Sequence, residues 1–138
     1  MEDELKREAV ELDFGGQRRF LRFEFQEIRR MRRRWPADNP MDTFRLAATL
    51  KPQGEGMAVI CEDEDALARC LWALLARDVP DLTDATVEQW VTDFLLAGGG
   101  LAQLADAVWG AFFVGGLGHA TLQEFKRKNS QPEAATHQ

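Results

Sequence analysis

Residues 67–91, LARCLWALLARDVPDLTDATVEQWV, constrain the fold more than any other part of the chain: an apolar stripe, a proline break, and a second stripe behind a threonine. Leu67, Leu71, Leu74 and Leu75 recur at i, i+4, i+7 and i+8, with Cys70 and Trp72 beside them, so one broad face of a helix is apolar and must be covered. Asp63 and Glu64, with Asp65 following, sit where the first turn begins and answer the partial positive charge of a helix N-terminus. Pro80 lacks an amide donor and disfavours helical angles at Val79, which predicts a stop near Asp78. Thr83 can accept a bond from a free amide of the next helix, where Val87, Trp90, Val91, Phe94 and Leu95 continue an apolar face. Two helices packed as a hairpin are expected.

Around that hairpin the signals vary in strength. Val10, Leu12 and Phe14 alternate with charged residues, Gly15 and Gly16 supply a turn, and Leu21, Phe23 and Phe25 alternate again, which predicts a β-hairpin over about residues 10–25. Residues 26–35 read as a helix with Ile28, Met31 and Trp35 on one side and arginines on the other, closed by Pro36. In residues 37–57, Asp38, Asn39 and Pro40 resemble a helix start, and Phe44, Leu46, Ala47 and Leu50 suit a short helix. Pro52, Gly54 and Gly56 then read as a loop, with a short extended piece at residues 57–60. After the break at Gly98, Gly99 and Gly100, a third stripe runs through Leu101, Leu104, Ala105, Val108, Trp109 and Phe112 and ends at Gly115 and Gly116. The expected fold is mainly α: an N-terminal β-hairpin followed by a small bundle of amphipathic helices, in one domain over residues 1–116. Residues 117–138 are expected to form a polar, partly disordered tail, since from about Asn129 onward NSQPEAATHQ has too few apolar groups to offset the entropy of ordering.

The net charge of −6 hides a segregation. Arg18, Arg19, Arg22, Arg29, Arg30, Arg32, Arg33 and Arg34 make the early part basic, whereas Glu62, Asp63, Glu64, Asp65, Asp78, Asp81, Asp84, Glu88 and Asp93 make the middle acidic. Opposite patches on different faces invite head-to-tail self-association; alternatively, the two regions pair within one subunit. The acidic start, MEDELKREAVELDF, lacks the basic-then-apolar order of a secretory signal, so the cytoplasm is the default compartment. No apolar run is long enough to span a bilayer, and no membrane partner is expected. Cys61 and Cys70 then read as two reduced thiols.

No catalytic constellation, cofactor or metal site is expected. The acidic run at residues 62–65 lacks the spacing and glycine of a calcium loop. Cys61, Cys70, His119 and His137 lack zinc spacing, and neither cysteine has a base nearby in sequence. The glycine clusters lack the residues of a nucleotide cradle. The run Arg29, Arg30, Arg32, Arg33 and Arg34 is the more serious binding signal, since guanidinium groups on one helix neutralise phosphates. A small nucleic-acid-binding regulator is therefore the alternative function, with the acidity of the whole chain weighing against it.

Two segments carry a family resemblance. RRFLRFEFQEI, residues 18–28, and CLWALLARDVPDLTDATVEQWV, residues 70–91, resemble the opening and the central hairpin of the tail assembly chaperones of long-tailed bacteriophages and related prophages. Asp78, Pro80, Asp81 and Thr83 are the most specific part, while the arginine-rich stretch and residues 37–57 depart from the pattern. The resemblance implies a mostly helical, non-catalytic protein of the bacterial host cytoplasm, absent from the mature virion. Such a protein coats the tape measure protein and helps recruit tail tube protein subunits. The client is a long helical chain, so shallow apolar surfaces suit it. Trp72, Leu75, Trp90, Phe94, Trp109 and Phe112 are the candidate partner-binding residues, some serving the core and some the client; the arginine run serves steering or a homo-oligomer contact.

Overall fold

Asn39, Asp63 and Thr83, three short polar residues, start three of the helices of this protein in its computed structural model, which describes residues 9–115. Each side chain accepts from an amide that has no partner inside its helix: Asn39 from Met41, Asp63 from Asp65 and Ala66, Thr83 from Thr86. The described elements are β1 (Val10–Phe14), β2 (Gln17–Leu21), α1 (Phe25–Arg34), α2 (Pro40–Ala47), β3 (Thr49–Gln53), β4 (Gly56–Ile60), α3 (Glu64–Leu75), α4 (Asp84–Leu96) and α5 (Leu101–Val114).

Among the described residues this is a mixed α/β fold, which corrects the mainly α expectation: five helices stand beside four strands in two antiparallel hairpins. The difference lies in residues 49–60. Leu50, expected in a helix, belongs to β3, because the helix stops at Ala47 and the chain turns back at Gly54 and Glu55. Gly54 has φ +61 and Glu55 is not among the residues of positive φ, the combination of a type II′ turn with glycine first. The first hairpin turns at Gly15 and Gly16, with φ +65 and +82, as a type I′ turn does. Phe25 corrects a smaller expectation: it opens α1 rather than closing a strand, and it is 64% exposed.

α3 is the hub of the core. Leu67, Leu71, Leu74 and Leu75 are at most 3% exposed, and burial of each contributes about 1.5–3 kcal/mol. α1, α2, α4 and α5 all pack on it. A cluster of aromatic rings joins this core to the strands: Phe23 lies 5.7 Å from Phe112 and 5.9 Å from Phe44, and Phe44 stacks on Phe112 at 4.0 Å. α3 and α4 pack as expected, with the Trp72 indole donating to the Leu82 carbonyl at 3.0 Å across the break. The α4 stripe is only partly covered, since Val87 alone is buried on that helix. α1 is pinned by a buried carboxylate. Glu27 accepts from the Glu24 amide at 2.6 Å and pairs with Arg30 at 2.8 Å, and Arg30 also reaches the Ala73 carbonyl of α3. The expected tail at residues 117–138, with His119 and His137, lies outside the described residues.

Candidate partner-binding surface

The six expected partner-binding residues fall in separate places rather than on one face. Trp72 belongs to a clamp between helices: its ring meets Trp35 edge-on at 5.4 Å, and the Arg34 guanidinium sits 4.3 Å from its centroid while pairing with Asp84 at 3.1 Å. Leu75 is 1% exposed and belongs to the core. Trp90 and Phe94, on α4, lie against the β1–β2 hairpin. Phe14 meets Trp90 at 5.9 Å and Phe94 at 6.2 Å, and the Arg19 guanidinium lies 5.0 Å over Trp90 while donating to the Phe14 carbonyl. Gly15 explains why the turn can approach so closely, because a Cβ there would stand 2.6 Å from the Trp90 ring.

Trp109 and Phe112 are brought together, at a groove between α2, β3 and α5. Phe112 is itself 1% exposed and forms the floor. Phe44 stacks between the two rings, 6.0 Å from Trp109, while Met41, Ala48 and Leu50 complete an apolar cleft of about 260 Å³. The strand register carries this surface outward. Leu50 pairs with Val59 and Pro52 with Met57, and directly paired residues share a face, so all four lie on one side of the second hairpin. Val59 packs on the core, whereas Leu50 is 41% and Met57 58% exposed. The result is an apolar strip from Trp109 to Met57 that solvent reaches. Sequence reasoning missed Leu50 and Met57 as surface residues; the signal that finds them is Gly54–Glu55 between two five-residue strands, a glycine-first hairpin turn.

The arginine run is divided by the fold. Arg30 is committed to Glu27, and Arg34 to Asp84, which joins the basic segment to the acidic middle within one subunit. Arg29, Arg32 and Arg33 are exposed and form no ion pair among the described residues. Arg29 lies 6.0 Å from the ring of Phe25.

The remaining titratable groups among the described residues include the two cysteines, and carboxylates paired with arginines. Among the described residues no group of three or more His, Cys, Asp or Glu side chains is placed to hold a metal ion. Burial pushes the Cys70 thiol far up, with Cys61 adding to it, and burial followed by the charges of Glu64 and Asp63 raises Cys61. Both thiols are protonated at neutral pH and are poor nucleophiles. A cleft of about 320 Å³ beside the β1–β2 turn has Asp13 and Arg18 at its rim, but these pair with each other at 3.0 Å.

No protein-family model, curated protein or solved structure matches this chain. No described helix is long and apolar enough to cross a membrane. The strip has apolar area and shape, and few polar groups line it.

Proposed function

We propose that this chain is a non-catalytic tail assembly chaperone of the long-tailed phage type. It holds an apolar stripe of the tape measure protein in the host cytoplasm, helps recruit tail tube subunits, and is left out of the finished particle. The observation that carries this reading is the open apolar strip of Leu50, Met57 and Trp109, floored by the buried rings of Phe44 and Phe112. The resemblance at residues 18–28 and 70–91 supplies the identity of the client. A tape measure helix presents apolar residues at i, i+3, i+4 and i+7, and laying that stripe along the strip hides it from aggregation until tube subunits replace the chaperone. Replacement requires weak holding. Micromolar affinity, about 8 kcal/mol, suits it. A self-associating form belongs to the same proposal, as an array of copies covers a long client.

Light scattering after size separation tests this, using the full chain alone and co-expressed with the tape measure protein encoded alongside it. The expected result is a large complex containing both, and a Leu50→Asp/Met57→Asp double variant that loses at least tenfold in affinity while its circular dichroism is unchanged. A chain that remains a strict monomer and never binds the client overturns the proposal, as does a double variant that binds undiminished.

A further inference from the structure

The exposed side of α1 is a second surface, independent of the groove. Phe25, Arg29, Arg32 and Arg33 share one face of the helix, and each is exposed. Residues four apart are about 6 Å apart along the axis, so Phe25, Arg29 and Arg33 form an evenly stepped row. Gln26, Arg29, Arg30 and Arg33 line a polar cleft of about 260 Å³ on this face. Residues 25–34 carry five arginines against one carboxylate, Glu27, and that carboxylate is buried and committed to Arg30. The net charge of −6 therefore arises on other segments, and exposed charges farther than roughly 8 Å are largely screened at physiological salt.

We infer that this face binds single-stranded nucleic acid, with Arg29, Arg32 and Arg33 on successive phosphates and the ring of Phe25 as a platform for one base. Charge alone would suit an acidic protein equally well. Phe25 decides between them: an aromatic ring 64% exposed at the end of an arginine row, with the Arg29 guanidinium 6.0 Å from its centroid, supplies the stacking surface that bases use and acidic side chains do not. Base stacking tolerates any sequence, so the site reads backbone and base faces and carries little sequence preference.

Fluorescence anisotropy of labelled single-stranded DNA and RNA oligonucleotides, titrated with the full chain at several salt concentrations, tests this. The expected result is saturable binding in which the logarithm of the association constant falls against that of salt with a slope of about −2, the value for three phosphates on a single strand. An R29Q/R32Q/R33Q variant should abolish most of that slope. Phe25→Ala should weaken binding about tenfold and leave the slope unchanged. Leu50→Asp/Met57→Asp should leave oligonucleotide binding intact, which separates this site from the groove. Absence of binding at low salt overturns the inference, as does a triple arginine variant with an unaltered slope or tighter binding of the matching duplex. Polyglutamate that competes as well as the oligonucleotide, with Phe25→Ala silent, overturns it in favour of an acidic protein partner.

Discussion

The two β-hairpins are built alike and end differently. Each has five residues a side and a two-residue turn that depends on glycine at positive φ. In the first, Phe14 and Leu21 are at most 3% exposed, Arg19 is buried across the strand from Leu12, and the turn lies under Trp90 of α4. In the second, β3 has no buried residue, and Gly54 has nothing within 4 Å of where its Cβ would stand. Local turn chemistry makes a hairpin, but only the packing partner decides whether its apolar face becomes core or surface. The first hairpin is part of the scaffold. The second leaves Leu50 and Met57 exposed to solvent.

The largest test of that contrast removes the contact that distinguishes them. Trp90→Ala should cost about 3 kcal/mol by urea unfolding, since it strips the ring from Phe14, Arg19 and the Gly15 turn. A loss below about 1 kcal/mol would mean that the first hairpin is no better anchored than the second. Gly15→Ala should cost about 2 kcal/mol, combining left-handed backbone strain with displacement of Trp90. Because both changes act at one contact, the double variant should lose less than the sum.

Core and edge can also be separated by pH. Cys70 is fully buried in α3, while Cys61 follows β4 and is only partly covered. The Cys70 thiol is raised in the folded state, so its contribution is fully present below the ordinary thiol value of 9.0 and declines as pH rises above it. Stability should fall by about 1.4 kcal/mol per pH unit there, and Cys70→Ala should flatten the curve. An unchanged slope in that variant would place the titration elsewhere. Smaller still, Gly54→Ala should cost about 1 kcal/mol from backbone strain alone, half the effect at Gly15 or less. Met57→Ser should change stability by no more than about 0.5 kcal/mol, as its side chain projects into solvent. A Met57 effect above 2 kcal/mol would show that the second hairpin is packed after all.

The same comparison explains what the sequence made legible. α3, α4 and α5 announce themselves because stripe, cap and breaker agree, and the Gly15–Gly16 turn lies between clear alternations. β3 and β4 do not alternate cleanly, and Pro52 argues against a strand interior; its place at an outer position of a two-stranded hairpin removes the objection. Trp109 and Phe112 are recognisable as members of one helical stripe, yet Leu50 joins them at the groove, and Met57 extends the strip, only through strand register. Trp72 and Trp90 look equivalent in the sequence. Their surroundings differ because Arg34 covers one and a glycine turn the other, contacts between residues dozens of positions apart that no local period encodes.

The Trp35–Trp72 pair has an optical corollary. Two indoles 5.4 Å apart and nearly perpendicular stand close enough for their electronic transitions to mix, and they reside on neighbouring segments joined by the Arg34 guanidinium. The protein thus carries an intrinsic chromophore whose ultraviolet signature reports, without any label, whether the arginine helix is seated.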